Sequence, residues 1–136
     1  MAEESSNRLE FSIKELPDVV RARRRGMEAA INMGFHPAEA NKIAVVISEL
    51  GRNIEQYAGE GTIILLTHTG ENRYIQITAE DQGPGIPDVD RVLKGGYSTS
   101  QGLGLGVSGS KKLMDEFEVR SVVGKGTTIR AVKWLR

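Results

Sequence analysis

Two pairs of short apolar segments, each pair joined by a glycine-containing turn, place the strongest constraint on how this chain can fold. The paired segments are 62–69 with 73–80 and 117–123 with 127–135. Their turns, residues 70–72 and 124–126, are short, so each pair predicts an antiparallel hairpin. A further short strand is predicted at residues 9–13, where apolar and polar residues alternate.

Residues 17–35 are predicted to form the first helix. Pro17 suits the first helical position, and Gly34 stands where glycine commonly ends a helix. We expect the buried side of this helix to be formed by Leu16, Val20, Met27 and Ile31. The basic run at residues 21–25 is best explained as a solvent-exposed face, and a partner-binding patch is the less favoured alternative.

A second helix is predicted from Pro37 to about Tyr57. Its residues 43–50 are apolar almost all round, which is typical of a helix buried on every side. Shorter helices are predicted at residues 89–94 and 107–116. In the second of these, the residues expected to face inward are Val107, Leu113 and Met114.

The strands and helices do not alternate one for one, since the predicted order is β, α, α, β, β, loop, α, β, β. Hairpins with helices grouped apart from them are typical of α+β proteins. We therefore predict a two-layer α/β sandwich with helices on one face of a mainly antiparallel sheet. No repeat or linker divides the chain, so we expect one domain over residues 1–136, with residues 1–7 frayed.

The composition excludes several classes of function. The chain has 18 basic and 18 acidic side chains, so its net charge does not favour nucleic acid or an anionic membrane as a partner. There is no cysteine, and His36 and His68 lie far apart, so a zinc site is not expected. The polar, acidic N-terminus does not resemble a signal peptide and no apolar run could span a bilayer, so we expect a cytoplasmic protein.

Residues 104–109 match the pattern G-x-G-x-x-G, which also occurs in several unrelated phosphate loops. A Rossmann loop needs a strand directly before it, and residues 95–101 are too rich in glycine and polar residues to form one. The motifs that accompany a protein-kinase glycine loop or a Walker A loop are also absent. Glycines before a helix can still bind phosphate through backbone N–H groups, so another kind of phosphate loop and a flexible linker both remain open.

Glu49 is a carboxylate within the apolar helical run, where an ionised group is costly unless it is paired or functional. Asn53 follows four residues later and therefore points the same way. Together they could polarise a hydroxyl group and hold a hard cation such as Mg²⁺. The structural alternative is a hydrogen-bonded pair, or an ion pair between Glu49 and Arg52.

Asp81 follows an alternating strand and enters a turn with three breakers at residues 83–85. Aspartate is common in such turns for structural reasons. The functional alternative is a carboxylate held at a strand end to accept a hydrogen bond from an exocyclic amine, with the glycines leaving room for a flat base. Thr127 also has two interpretations. It can be simply the first residue of a strand, or its hydroxyl can lie near the same base.

The order of these motifs is more specific than any one of them. The motifs are E-x-x-x-N at 49–53, D-x-G-x-G at 81–85, GLGLG at 102–106 and GKGTT at 124–128. In this order they resemble the N, G1 and G2 boxes and the last box of the GHKL ATPase superfamily, over roughly residues 9–136. The anti-sigma-factor serine kinases are single-domain members of this size, and the chain resembles most the switch kinases of the bacterial stressosome.

The resemblance implies the Bergerat ATP-binding fold, with ATP and Mg²⁺ as cofactors. Glu49 would be the general base, and Asn53 would ligate the Mg²⁺ that bridges the phosphates. Asp81 would accept a hydrogen bond from the adenine amino group, supported through water by Thr127. The other implied nucleotide-binding residues are Gly83, Gly85, Gly102, Leu103, Gly104, Leu105 and Gly106, the last five at the end of a mobile lid over about 88–106.

The resemblance also implies partners. The substrate would be a serine or threonine of a STAS-domain protein, and the released kinase would bind and activate a PP2C-type phosphatase. The alternative is an anti-sigma factor that binds a sigma factor and phosphorylates its STAS antagonist. A non-enzymatic docking protein is disfavoured because Glu49 and Asn53 are intact. Tyr57 stands where many relatives have His or Lys, which argues against an extra phosphate contact there.

Overall fold

The structure is a computed structural model that describes residues 5–94 and 106–136. The strands and helices follow one another in the order predicted from the sequence. The strands are β1 (Ser5–Ile13), β2 (Gly61–Thr69), β3 (Tyr74–Asp81), β4 (Glu116–Val122) and β5 (Gly126–Trp134). The helices are α1 (Leu16–Met33), α2 (Pro37–Asn53), α3 (Val89–Leu93) and α4 (Gly106–Leu113), and a π-helical turn (Ile54–Ala58) continues α2.

The five strands form one sheet in the order β1-β2-β3-β5-β4, and every neighbouring pair is antiparallel. Both predicted hairpins, β2–β3 and β4–β5, are confirmed. Because β3 and β5 pair antiparallel, the end of β3 lies beside the start of β5. The α+β class and the antiparallel sheet are therefore as the sequence predicts.

The core lies between the sheet and the helical layer. Alternate residues of the central strands face the helices and are buried, as the period of two in a pleated strand requires. The fully or almost fully buried strand residues of this core are Ile13, Ile63, Leu65, Ile75, Ile77, Ala79 and Ala131. The apolar run of α2 packs on them as predicted, with Ile43, Ile47 and Leu50 each at most 1% exposed.

The prediction of which residues form the buried side of α1 was wrong. Leu16, Val20 and Ile31 are 53%, 56% and 42% exposed, and Met27 is half-buried. The residues that are buried instead are Val19, Ala22, Gly26, Ala30 and Met33. A side chain at Gly26 would collide with Ile47, so small residues allow α1 to pack closely on α2. The sequence prediction had favoured the largest apolar residues of the helix, and close packing selected the small ones.

The ends of α1 are as predicted. Pro17 lies in the first turn, and the Asp18 carboxylate accepts hydrogen bonds from the backbone N–H groups of Lys14 and Glu15. These bonds, with Arg21 beside them, hold the pKa of Asp18 below its ordinary value. Gly34 ends the helix in the left-handed conformation, with φ of 106°.

The helix α4 ends at Leu113, three residues before the predicted end. The Asp115 N–H donates to the Val132 carbonyl, and the Asp115 carboxylate accepts from the Trp134 N–H at 2.7 Å. These bonds pair the chain with β5 before another helical turn can form. Lys133, which is almost completely buried, donates from Nζ to the Leu113 carbonyl at 2.8 Å and so caps the end of α4.

The outer face of the sheet, opposite the helices, carries a row of aromatic rings at one end. His68 stacks on Tyr74, and Tyr74 packs against Trp134 with 5.2 Å between ring centroids. The Trp134 Nε1–H donates to Glu116 at 2.7 Å. These contacts hold the ends of four strands together on that face. In the described ranges, no helix is both long and apolar enough to cross a bilayer.

Candidate functional site

A cavity of about 170 Å³ opens at the end of the sheet where β3 finishes and β5 begins. Its walls come from the end of α2, the π-helical turn, the 82–88 loop, strands β3 and β5, and one residue each of α3 and α4. The lining residues are Leu50, Asn53, Ile54, Tyr57, Ala58, Ala79, Asp81, Pro84, Gly85, Ile86, Pro87, Val92, Val107, Thr127 and Ile129. Apolar walls with a few polar groups are typical of a site for a flat, mostly apolar ring.

Asp81 and Thr127 are the polar groups on the sheet side of this cavity. They are direct cross-strand partners in the β3–β5 ladder, so the register of the sheet brings together two residues 46 positions apart (127 − 81). The Asp81 Oδ1 atom accepts a hydrogen bond from the Gly83 N–H at 2.9 Å. The other carboxylate oxygen has no hydrogen-bond partner in the described part of the chain, which leaves it to accept from a ligand.

The glycines after Asp81 allow the loop to lie close against its neighbours. Gly85 lines the cavity with φ of 81°, and a Cβ atom there would lie 2.5 Å from the Val122 carbonyl oxygen. Gly83 does not line the cavity. A Cβ atom at Gly83 would lie 2.7 Å from the Ala58 Cβ, so this glycine packs the loop against the π-helical turn. The two glycines therefore have different structural roles.

Ser121, which the sequence analysis missed, joins the loop to the β4–β5 hairpin. Its Oγ atom accepts from the Ile86 N–H at 2.7 Å, donates towards the Gly126 carbonyl at 3.1 Å and lies 2.8 Å from Thr127 Oγ1. A signal was present in the sequence, because Phe117, Val119 and Ser121 alternate on one side of β4. A hydroxyl at the end of such an inward series has to find partners.

The π-helical turn shapes the side of the cavity opposite the sheet. A π-helical turn holds one more residue than an α-helical turn and is frequent at functional sites. Asn53, Ile54, Tyr57 and Ala58 all line the cavity from this turn and the residue before it. Tyr57 is 42% exposed and forms part of the rim. The helix was predicted to reach about Tyr57, but its change of pitch was not predicted.

Glu49 lies next to this cavity and does not line it. Its side chain is buried, and the Gly106 N–H donates to its Oε2 atom at 3.4 Å. Its Oε1 atom lies 3.8 Å from Arg52, so the ion pair that the sequence offered as a structural alternative is present. The carboxylate therefore lies at the N-terminus of α4, where the helix dipole favours a negative charge.

Gly106 is the first residue of α4 and has φ of 64°. It is the one member of the predicted phosphate loop that the structure describes. Gly102, Leu103, Gly104 and Leu105 lie outside the described residues, as does most of the predicted lid. Their assignment to phosphate binding stays a prediction.

Polar contacts of Lys133 and Asp115 hold the opposite end of α4. Lys133 forms an ion pair with Glu39 of α2, with 3.1 Å between Nζ and Oε2, in addition to its bond to Leu113. The hydrogen bond from Lys133 lowers the pKa of Glu39 from its ordinary value of 4.5. Burial would raise the pKa of Asp115, but its bonds to Trp134 and Arg136 outweigh this and lower it from 3.8. The helix is thus connected to α2 at both of its ends.

The residues at the site are compatible with Mg²⁺ that is held mainly by a bound nucleotide. In the part of the chain that the structure describes, no group of three or more His, Cys, Asp or Glu side chains could hold a metal ion. Mg²⁺ needs no such group, since it often takes one or two protein oxygens and completes its shell with phosphates and water. The Asn53 amide at the cavity rim is a donor of the right kind.

The fold and the motifs define a class of protein. Residues 38–136 match the family model described as "Histidine kinase-, DNA gyrase B-, and HSP90-like ATPase". This match covers most of the chain and includes Glu49, Asn53, Asp81 and Thr127. The chain therefore belongs to this ATPase family, and the resemblance seen in the sequence is confirmed.

The similarity to individual relatives is more specific. The chain is 50% identical over 120 residues to the serine/threonine-protein kinase RsbT of Bacillus subtilis, covering 88% of this chain and 90% of that protein. It is 30% identical over 105 residues to the anti-sigma F factor of Pasteuria penetrans, covering 72% and 70% of the two chains.

A solved structure shares the fold. It contains the RsbU and RsbW domains of Rv1364c from Mycobacterium tuberculosis and matches with a TM-score of 0.65. The sequences are 15% identical, and the match covers 97% of this chain and 33% of that one, so the present chain spans about one third of its length. At this identity the match supports the fold alone.

Proposed function

We propose that this protein, an ATP-dependent serine/threonine protein kinase, phosphorylates a STAS-domain protein of a stressosome. We further propose that the kinase, once released from that protein, binds and activates a PP2C-type phosphatase. The observation that carries the proposal is the pairing of Asp81 with Thr127 at the cavity while Glu49 lies beside it at the N-terminus of α4. The 50% identity to RsbT supports this choice among protein kinases.

In this proposal the cavity between β3, β5 and the π-helical turn binds adenine. The free oxygen of Asp81 accepts a hydrogen bond from the exocyclic amino group, and Thr127 supports the base through its hydroxyl. Gly85 lies beside the ring, where its lack of a side chain keeps the wall close to the backbone of Val122. The small cavity suits the base, and the phosphates extend towards α4.

At the other end, ATP would supply the γ-phosphoryl group, and Mg²⁺, when bound, would neutralise part of its charge. Glu49 takes the proton of the attacking Ser or Thr hydroxyl as the new O–P bond forms and ADP leaves. Asn53, which lines the cavity, would ligate Mg²⁺, and residues 102–106 would supply backbone N–H groups to the phosphates. Catalysis in such a transfer consists mainly of positioning and charge stabilisation.

The test is incubation of the protein with radiolabelled ATP, Mg²⁺ and purified STAS-domain proteins from the same cell. We expect label on serine or threonine of one of them, identified by phosphoamino-acid analysis and mass spectrometry. A STAS variant with that hydroxyl residue replaced by alanine is the matched control. Absence of label from every STAS protein, in conditions where ATP binds, would contradict the proposed substrate class.

The second candidate is an anti-sigma factor, which is favoured by the similarity to the anti-sigma F factor. The two functions differ in their stable partners. Affinity capture from the cytoplasm, where we propose the protein acts, should retain a STAS protein and a PP2C-type phosphatase. Capture of a sigma factor with no phosphatase would favour the anti-sigma function instead.

A further inference from the structure

The strand β1 forms one edge of the sheet, and in the part of the chain that the structure describes no strand pairs with its free side. It is nine residues long, contains no proline, and pairs with β2 without a bulge from Ser5 to Ile13. Such an edge presents unpaired backbone N–H and C=O groups to another strand, and proteins often protect it by shortness, proline or a bulge. Because β1 has none of these three protections, it can serve as a template for pairing.

The charged side chains in the middle of β1 are arranged so that the strand is complementary to itself. Arg8 and Glu10 flank Leu9 on the outer face of the sheet, are exposed, and lie 2.8 Å apart. If two copies of β1 pair antiparallel about a two-fold axis at Leu9, Arg8 of each copy lies opposite Glu10 of the other. A two-fold axis at Arg8 or at Glu10 would instead place like charges opposite each other, which is destabilising.

The same register suits the helix-facing side of the sheet. Leu9 and Phe11 are half-buried on that side. With the axis at Leu9, the two Leu9 side chains meet, and Phe11 of each copy lies opposite Asn7 of the other. Asn7 lines a groove of about 460 Å³ between α1 and β1, whose apolar lining is Leu9, Ala29, Met33 and Leu65. Phe11 of the second copy would therefore cover the mouth of this groove and remove apolar surface from water.

The other edge strand, β4, has the same order of charges but is less available. Glu118 and Arg120 flank Val119, and their charged groups lie 2.8 Å apart. However, β4 is seven residues long, and near its end the Ser121 hydroxyl is already bonded to the 82–88 loop. We therefore expect β1 to be the edge that pairs, and β4 provides the matched comparison.

We propose that β1 is a dimerisation edge, at which two copies of this chain pair antiparallel about Leu9 and join their five-stranded sheets into one. Both copies use the same edge, so the assembly closes at two chains. The cavity at Asp81 and Thr127 lies on β3 and β5, and β3 is two strands, or roughly 10 Å, away from β1. The dimer therefore leaves both cavities open, and the inference does not depend on the proposed kinase activity.

The first test reverses one charge at a time. Arg8→Glu and Glu10→Arg each replace two attractive contacts across the dimer axis with two repulsive ones. Sedimentation equilibrium should show a dimer for the wild type and a dissociation constant about 10- to 30-fold higher for each variant. Both variants should stay folded, because the ion pair that they lose within the chain is exposed and contributes little. Circular dichroism checks this, and Glu118→Arg on β4 should leave the dimer intact.

Mixing the two variants separates pairing from damage to the fold. The Arg8→Glu chain is acidic at both positions and the Glu10→Arg chain is basic at both, so opposite charges face each other again when one chain of each kind pairs. An equimolar mixture should therefore form a heterodimer with an affinity close to that of the wild-type dimer. Failure of the mixture to associate would overturn the proposal. A wild-type protein that stays monomeric at the highest concentration tested would also overturn it, and would leave this edge to a strand of a different protein.

The register is tested with cysteine, which the natural chain lacks. In Leu9→Cys the two introduced thiols lie on directly opposite residues, about 4.5–5.5 Å apart between Cα atoms, so mild oxidation should link the chains. In Phe11→Cys they lie four residues apart along the strands, roughly 14 Å, which is too far for a disulfide. Val119→Cys is the matched variant on β4 and should also stay unlinked. Linkage of Phe11→Cys or Val119→Cys without linkage of Leu9→Cys would contradict the proposed edge and register.

Discussion

The two ends of the site are built in different ways. The proposed base end lies on the sheet, where the β3–β5 register fixes Asp81 opposite Thr127 and three bonds at Ser121 tie the strands to the 82–88 loop. The proposed catalytic end lies between two helices, where, among the residues that the structure describes, Glu49 meets α4 through one contact of 3.4 Å. Within the described residues, the base end is therefore held by more and shorter bonds than the catalytic end.

The difference indicates which end of the site can rearrange its contacts and which end cannot. Strand register is shared by every residue of a ladder, so the Asp81–Thr127 pair cannot shift without disturbing the whole β3–β5 ladder. A helix N-terminus that binds a carboxylate can exchange that anion for another. We therefore expect the base end to set specificity and the catalytic end to rearrange when nucleotide and substrate bind.

The largest effect is expected at the catalytic end, from Glu49→Gln. The amide can still accept from Gly106 but cannot take a proton, so phosphoryl transfer should fall about 100-fold or more, as on loss of a general base. ATP affinity should change little, since Glu49 does not line the cavity. Single-turnover transfer and calorimetry measure the two quantities, with Glu55→Gln on the π-helical turn as the control. Transfer at the wild-type rate would remove Glu49 from the role of base.

At the base end, Asp81→Asn should weaken ATP binding. An asparagine can keep the bond to Gly83, but its NH₂ group then faces the adenine amino group, so two donors meet. We expect a loss of about 10- to 100-fold in ATP affinity, the usual cost of losing a hydrogen bond to a charged group. Binding of GTP should not weaken in parallel. Asp90→Asn, on the short helix α3, should change neither affinity.

Equal losses for ATP and GTP in Asp81→Asn would contradict the role of this carboxylate in reading the base. They would indicate that the substitution distorts the cavity as a whole. Calorimetry with both nucleotides, together with a thermal unfolding curve for each variant, separates these outcomes.

The close packing of the 82–88 loop can be tested with two glycines of equal φ. Gly85 and Gly124 both have φ of 81°, but a Cβ atom at Gly85 would approach Val122 whereas nothing lies within 4 Å of one at Gly124. Both alanine variants should lose about 1–2 kcal/mol of stability from the left-handed backbone. Gly85→Ala should lose more, and should also bind ATP less tightly. Thermal unfolding that shows equal losses would mean that the loop can move away from β4.

The smallest effect is expected when the pH is lowered, because this weakens the contacts that hold the end of α4. Lys133 lowers the pKa of Glu39 from 4.5, so the stabilisation from this pair is complete above about pH 4.5 and is lost as the pH falls through the lower folded-state pKa. The same sign holds for Asp115 below its ordinary value of 3.8. The protection of α4 amides against hydrogen exchange, corrected for the intrinsic pH dependence of exchange, should therefore begin to fall below about pH 4.5, before it falls around Ser121, whose bonds involve no ionisable side chain. Lys133→Met should remove the Glu39 part of this dependence.

Much of the fold could be predicted from the sequence because its signals are local. The hairpins, the caps at Pro17 and Gly34 and the apolar run of α2 depend on residues close together in the chain. The buried face of α1 could not be predicted in the same way. It depends on how closely Gly26 can approach Ile47, which is a property of two helices and not of one pattern.

The site also has residues that could be predicted from the sequence and a residue that could not. Asp81 and Thr127 were predicted separately, and their resemblance to a family motif linked them before the sheet showed them to be neighbours. Ser121 was missed because its three partners come from a loop and from the neighbouring strand β5. The roles of Glu49 and Asn53 stay predictions, since the structure gives their positions and an ion pair but no substrate.

The aromatic row on the outer face makes the protein convenient for spectroscopy. Trp134 is the one tryptophan of the chain and lies at the end of β5 opposite Thr127, roughly 23 Å away along seven residues of extended strand. Its emission should therefore report the melting of the sheet and stay silent when a nucleotide binds. One fluorophore in the natural sequence can thus separate variants that unfold from variants that only lose their ligand, with no added label.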